Sequence, residues 1–361
     1  MLASQALVRT RIRDATTRLA GTAARRWFLD RQVEFWLGEL GIARRMRARV
    51  VDCVDETADT RTFVLQTDRR WPGHEAGQFI PVEVEIDGVR VHRCYSISSG
   101  PSRAGRTRIA ITVKRVPGGR MSTWLHDHLR PDDTIDIGTP AGDFVVTTPA
   151  PLLLVAGGSG ITPVMAILRD LERRAALRDV VLVHAARSDA DAIFHRELAA
   201  LATSEPGFRL AAHRDDVHGR LDAAAIARLV PDLPRRAVYV CGPPGLLDLV
   251  TAVATEAGVT VHHERFVAAP PAGPRGGAAP VTIRLRGREV AVDGSAPLLG
   301  ELEQAGERPP HGCRMGICNT CRCRKQSGTV EDLRTGAISS APDEEIRLCV
   351  SIARSDLELA L

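Results

Sequence analysis

Cys313-Arg-Met-Gly-Ile-Cys318-Asn-Thr-Cys321, followed at a distance by Cys349, spells C-x4-C-x2-C…C. This is the plant-type spacing of a [2Fe–2S] cluster held by four thiolates. Two sulfide-bridged irons need four soft, anionic ligands converging on a small volume. One tight loop supplies three, with Gly312 and Gly316 permitting positive φ and close backbone approach. The fourth comes from another part of the chain. Structural zinc also takes four cysteines, but zinc ribbons pair two short-spaced hairpins and Cys349 is single. A disulfide framework fits poorly with a long chain lacking a signal-peptide pattern. Cys323 is surplus to the four and reads as a small buried apolar residue. Cys53 and Cys94 read as core or near-core thiols.

Working outward, strands over Val281–Leu285 and Arg288–Val292 and a helix over Pro297–Gln304 precede the cysteine loop. That order suits a small α+β β-grasp domain, residues 281–361. Residues 268–280 are rich in Pro, Gly and Ala and read as a linker. Over 150–267 the rhythm is strand–helix–strand: Leu152–Val155, a helix over Thr162–Arg174, Val180–Val183 and later Val238–Val240. This is a parallel, doubly wound α/β domain. Over 46–149 short alternating strands dominate, among them Thr62–Leu65, Val82–Ile86, Arg108–Val113 and Thr134–Ile137, with Asp87-Gly88 as a tight hairpin turn. They predict an antiparallel β-barrel. Residues 1–45 read as a helical N-terminal extension, apolar at Trp27, Phe28, Phe35 and Trp36 and rich in arginine elsewhere. It reads as a helical cap on the next domain, with docking on an anionic membrane or a membrane-bound partner as the alternative.

The bulk numbers exclude several classes. A chain of 361 residues holds two or three domains. A net charge of +4 is too mild to argue for nucleic acid, and 4% aromatics leaves few stacking platforms. Apolar runs such as Pro151–Ala156 are far too short to span a bilayer. Eight cysteines without a secretory pattern point to a reducing, cytoplasmic setting, and a monomer is expected.

Four motifs carry chemistry. Arg93-Cys94-Tyr95-Ser96 has the form R-x-Y-S: an aromatic face for a flavin ring, a cation for its phosphates and a small hydroxyl near N5. Gly118-Gly119-Arg120-Met121-Ser122-Thr123 frees backbone for a phosphate, with Ser122 or Thr123 placed to cap the helix that follows. Gly157-Gly158-Ser159-Gly160-Ile161-Thr162-Pro163 follows a strand and opens a helix, a phosphate-facing turn that departs from G-x-G-x-x-G at Pro163. Cys241-Gly242-Pro243 puts a thiol and a flexible turn at the carboxyl edge of the sheet. The pairs His126/His128 and His262/His263 read as surface or capping groups rather than a metal site, and His311 as a packing residue near the cluster loop.

In this order the motifs resemble the ferredoxin–NADP reductase superfamily, fused to a C-terminal plant-type ferredoxin domain as in the single-component reductases that feed oxygenases, hydroxylases and desaturases. The resemblance covers 46–361. It implies that Arg93, Cys94, Tyr95, Ser96, Val113 and Lys114 surround the flavin, that Gly118, Gly119, Met121, Ser122 and Thr123 hold its pyrophosphate, and that Phe266 lies near its ring. It implies that Gly157, Gly158, Gly160, Ile161, Thr162 and Pro163 bind the nicotinamide dinucleotide, with Cys241, Gly242 and Pro243 beside its nicotinamide. Ser96, Cys241 and Glu264 are the expected catalytic residues, and Cys313, Cys318, Cys321 and Cys349 the cluster ligands. FAD is expected over FMN. NADPH is expected over NADH, with Arg187 and Ser188 as the 2′-phosphate clamp. The expected partner is an electron-accepting oxygenase, foremost a membrane-bound di-iron desaturase or alkane hydroxylase, with peripheral membrane contact through the extension.

Overall fold

The computed structural model describes residues 46–147, 151–266, 280–285, 287–311, 316, 321–333 and 336–361. The N-terminal extension, the 268–279 stretch of the linker, Cys313 and Cys318 lie outside the described residues. Among the described residues the chain forms a six-stranded sheet, then a five-stranded one, then a second five-stranded sheet with a three-stranded companion.

The first sheet is made of β1 (Met46–Thr57), β2 (Thr60–Thr67), β3 (Phe79–Ile86), β4 (Val89–Ser96), β5 (Arg108–Lys114) and β6 (Thr134–Ile137), with α1 (Arg120–His128) between the last two. The strand order is β4-β3-β6-β1-β2-β5. An antiparallel bridge between Ile97 and Ile111 joins the two ends and closes the barrel. The β3–β4 hairpin turns at Asp87 and Gly88, both at positive φ (52° and 71°), as a two-residue connection matched to strand twist requires. Alternate residues of β2 point inward, with Phe63 and Leu65 fully buried.

The second sheet is parallel, ordered β11-β10-β7-β8-β9. Its parts are β7 (Leu152–Gly157), α2 (Ile161–Arg173), β8 (Val180–Ala186), α3 (His195–Ser204), β9 (Phe208–Arg214), α4 (Asp215–His218), α5 (Ala223–Leu229), β10 (Ala237–Cys241), α6 (Pro244–Glu256) and β11 (Val261–Glu264). Every residue of β7 is buried, as expected of a central parallel strand covered on both faces. The strand order reverses between β7 and β10, so their carboxyl ends diverge and open a crevice.

Barrel and α/β sheet share one apolar core. Phe144 and Ala76 from the barrel side cluster with Leu154, Ile167 and Tyr239. Phe144 meets Tyr239 edge to face, with ring centroids 5.6 Å apart. Arg169 of α2 donates to Ser98 O at 2.7 Å, is held by Glu197, and lies 5.1 Å over the Phe194 ring. This seam fixes the crevice against the barrel.

The third sheet, β13-β12-β19-β14-β17, is formed by β12 (Val281–Leu285), β13 (Arg288–Val292), β14 (Arg322–Ser327), β17 (Glu344–Arg347) and β19 (Leu357–Ala360). A smaller sheet joins β15 (Val330–Asp332), β16 (Ile338–Ser339) and β18 (Ser351–Ala353), and α7 (Leu298–Gln304) covers the core. β12 runs parallel to β19 and antiparallel to β13. Lys325 is fully buried here. Its Nζ donates to Gly328 O and Ser339 O at 2.9 and 3.2 Å and meets Glu344 at 3.2 Å. Among the described residues no helix is long and apolar enough to cross a membrane.

Candidate functional site

A cavity of about 330 Å³ opens at the barrel's edge. β4 contributes Arg93, Cys94, Tyr95 and Ser96, and the start of α1 contributes Gly119, Met121 and Ser122. Phe266 and Thr162 close it from the α/β side. Burial raises the Tyr95 phenol above its ordinary range, so it presents a neutral ring. Ser96 Oγ is buried with no hydrogen-bond partner. An orphaned hydroxyl in a cavity with an aromatic wall and an arginine fits a flavin that brings the missing partner.

Two sequence expectations are corrected here. Neither Ser122 nor Thr123 caps α1. The N-cap is Gly119, and no side chain caps it. Positive φ at Gly118 (70°) tightens the turn, so Ser122 falls inside the first helical turn. Its hydroxyl accepts from Val116 N at 3.1 Å and donates to Gly119 O at 3.4 Å, bracing the turn from within. His126 is not a surface group. It is buried, with Nε2 2.8 Å from Val113 O, and ties α1 to β5.

A second cavity of about 450 Å³ lies along the crevice, with Gly157, Gly158, Pro243 and Gly245 at its walls. Gly158 has φ 54°, and a Cβ there would meet no other atom within 4 Å and would project into open space. At Gly160 a Cβ would sit 2.1 Å from Cys241 O, so only glycine lets the β7 and β10 loops touch. Ile161 and Pro163 are buried packing residues at the head of α2. Thr162, expected on the nucleotide, lines the flavin-side cavity together with Ser159, whose carbonyl accepts from its hydroxyl at 2.9 Å. The 157–162 turn is therefore the partition between the cavities. Lys114 lines both. Val113, Gly118, Thr123, Gly160, Ile161, Pro163, Ser188, Cys241, Gly242 and Glu264 line neither directly. The sequence did not single out Asp215, at the head of the short helix α4, or Arg220 and Leu221 in the loop after it, all three on the nucleotide side.

Ser96, Glu264 and Cys241 converge at this partition. Cys241 and Glu264 are register partners on adjacent parallel strands. Glu264 Oε2 is buried without a partner. Burial, then the nearby Asp143 charge, pushes Glu264 up to about 8, while the adjacent Ser96 hydroxyl pulls weakly the other way. Burial and then the Glu264 charge push the Cys241 thiol well above its usual range. Both shifts favour the uncharged forms of the Glu264 carboxyl and the Cys241 thiol.

In the third domain, Cys321 and Cys349 are buried with their sulfurs 3.2 Å apart, well beyond a covalent S–S bond. Gly316, at φ 73°, aims its N–H at Cys349 Sγ (3.1 Å). Converging sulfurs with a backbone N–H on one of them fit a thiolate-held cluster. Cys323 packs apart, its thiol pushed up to about 12 by burial and then by Cys321, with Sγ 3.5 Å from Ala360 O. His311 meets Glu303 at 3.4 Å.

Family profiles described as "Oxidoreductase FAD-binding domain", "Oxidoreductase NAD-binding domain" and "2Fe-2S iron-sulfur cluster binding domain" match residues 47–146, 154–252 and 281–354. The chain belongs to the ferredoxin–NADP reductase superfamily, in its fused form with a C-terminal [2Fe–2S] domain. It is an NAD(P)H-linked flavin and iron–sulfur oxidoreductase. A Mycobacterium tuberculosis protein named "NADPH oxidoreductase" is 39% identical over 88% of this chain and 84% of its own length. The glycine betaine monooxygenase reductase subunit of Chromohalobacter salexigens is 33% identical over 87% of this chain and 95% of its own. The solved structure of phthalate dioxygenase reductase superposes with a TM-score of 0.58, at 28% identity, covering 87% of this chain and 97% of that one.

Proposed function

We propose that the chain draws electrons from NADPH and delivers them to a separate oxygenase-type acceptor protein. Bound FAD would supply the chemistry that turns a two-electron donation from a nicotinamide into single-electron delivery to the cluster. The chain's own residues position and insulate. Tyr95 and Phe266 supply flat apolar walls, and Arg93 and the Gly118–Ser122 turn hold phosphate. Ser96 Oγ is the hydroxyl reserved for the polar edge of the ring. Glu264, protonated at neutral pH, keeps a proton at Oε within the dry partition, and Cys241 fills the nicotinamide side with a neutral thiol. Cys313, Cys318, Cys321 and Cys349 hold the cluster.

The observation that supports this reading is Ser96, with its unpartnered hydroxyl on the wall of one cavity, beside Glu264 and its strand neighbour Cys241, with the 157–162 turn between that cavity and a second one. Steady NADPH-dependent reduction of ferricyanide and cytochrome c by the purified chain tests it. Flavin and cluster that are reduced only once, without turnover, would instead mark a redox sensor.

An oxygenase acceptor is supported by relatives named as reductase subunits of glycine betaine and 3-ketosteroid monooxygenases. The finer reading, a membrane-bound di-iron desaturase or alkane hydroxylase reached from the cytoplasmic face, rests on the basic, aromatic sequence of residues 1–45 alone. Deleting residues 1–40 tests it: full coupling to a membrane acceptor after deletion removes its basis.

A further inference from the structure

The barrel buries a run of hydroxyls that the passage of electrons does not use. Thr62 and Thr112 face each other across β2 and β5, and both are buried. Their Oγ1 atoms are 2.8 Å apart. Thr112 Oγ1 is also 2.9 Å from the buried Ser98 Oγ. At the other end the Thr62 hydroxyl donates to Glu56 Oε1 at 2.7 Å. Valine pairs in strands as well as threonine does, so strand pairing alone does not ask for these hydroxyls.

β1 delivers Glu56 by a bulge. Asp55 faces Arg61 and Thr57 faces Thr60, which leaves Glu56 as the extra residue. Glu56 is half-buried, within reach of water. Arg169 of α2 and Glu197 of α3 are the charged groups that act on it from the α/β side. Burial, the largest influence, raises its carboxyl above the ordinary range. The Thr62 hydrogen bond and then Arg169 oppose the rise, and Glu197 adds to it.

The run has a sense. A carboxylate only accepts, and each hydroxyl has one hydrogen and two lone pairs. Thr62 gives its hydrogen to Glu56, so Thr112 donates to Thr62 and Ser98 donates to Thr112. Thr112 keeps one lone pair, and it is a wall residue of the flavin cavity. Both hydrogens between that wall and Glu56 therefore point toward the carboxylate.

The reaction calls for such a route. A hydride is a proton and two electrons. Once both electrons have left for the acceptor, one proton per nicotinamide remains in the flavin cavity and must reach water. We propose that Thr112, Thr62 and Glu56 carry this proton from the flavin cavity to solvent. Thr112 takes it on its free lone pair and passes its own hydrogen to Thr62. Thr62 passes its own to Glu56 Oε1, the Glu56 carboxyl releases a proton to water, and rotation of the hydroxyls resets the run. Ser98 lies beside this line, not on it.

The proposal rests on the reading that bound flavin passes its electrons on. It is tested on the protein with flavin and cluster bound, reduced anaerobically with reduced nicotinamide and then mixed with ferricyanide. Flavin absorbance and a pH-indicator dye are followed together. Wild type is expected to release its proton in step with flavin reoxidation. Glu56→Gln keeps an oxygen for Thr62 but takes no proton, and Thr112→Val cuts the run. Each is expected to delay proton release about 10- to 100-fold, as for loss of a positioned proton acceptor. Imidazole in the buffer is expected to relieve Glu56→Gln, and Ser98→Ala to release its proton as wild type does. A second readout needs no turnover. In the oxidised protein at rest, the infrared carboxyl band lost in Glu56→Gln is expected to titrate above the ordinary carboxylate range. In Thr62→Val it is expected to titrate higher still, because the Thr62 hydrogen bond favours the charged form. Undelayed proton release in Glu56→Gln and Thr112→Val, no relief by imidazole, an equal delay in Ser98→Ala, or a Glu56 band unmoved by Thr62→Val overturns the proposal. A wild-type flavin that the nicotinamide never reduces overturns the electron-transfer reading instead.

Discussion

Among the described residues two glutamates, Glu264 and Glu301, have a buried Oε2 that finds no partner, and they differ in what surrounds them. Glu301, in α7 of the ferredoxin domain, accepts from Ser295 N and Ala296 N at 3.0 and 3.2 Å through its other oxygen. Burial and then Asp293 push it up to about 7, while the Glu301 carboxyl and then Ser295, whose N–H it accepts, bring Asp293 down to about 2. Glu301 organises a turn. Glu264 has no comparable backbone anchor and instead faces Ser96 and Cys241 at the partition of two cavities. A buried carboxyl alone therefore says little. An orphaned oxygen beside other unpartnered groups, at the carboxyl edge of a switch point, marks chemistry.

The largest effect should come from the ferredoxin side. Cys349→Ser is expected to remove the cluster and cut cytochrome c reduction to a few per cent or less, while direct flavin-to-ferricyanide turnover persists. Iron content and visible absorbance of the variant check this. Next, Ser96→Ala is expected to slow flavin reduction about 10- to 100-fold with FAD retained, because a preorganised hydrogen bond at the ring is lost. An unchanged stopped-flow rate would remove Ser96 from the site.

The two glutamates then separate by pH and by rate. The unfolded chain releases the Glu264 proton near 4.5 and the folded chain near 8. Between these values the folded state holds more protons, so stability falls as pH rises. Glu264→Gln is expected to remove that decline in thermal melts between about pH 5 and 8 and to slow flavin reduction. Glu301→Gln is expected to have the smallest effect. It should flatten the corresponding decline up to about 7 and shift the melting temperature by about a few degrees, with flavin reduction unchanged. Slowed reduction in Glu301→Gln would erase the distinction between the two carboxyls.

The strands around Phe63, the buried run of β7 and the helix over α2 were legible because periodicity and burial report one another. The motif positions were legible because glycines and cysteines at fixed spacing have few other uses. Local hydrogen bonding was not. Ser122 looks like a cap by residue type, yet positive φ at Gly118 moves the helix start and turns it into a brace. His126 looks like a surface residue in a polar triplet, yet α1 presents it to β5. The assignment of Thr162 to the flavin side and of Arg220 to the nucleotide wall depends on how two domains meet, which no local window of sequence contains.

The most direct test of electron passage along this chain is an anaerobic titration with NADPH, followed by visible absorbance and by electron paramagnetic resonance. The expected result is bleaching of a yellow chromophore followed by the signal of a reduced [2Fe–2S] centre. A colourless preparation carrying zinc, or a flavin that bleaches while the iron centre stays oxidised, would contradict it.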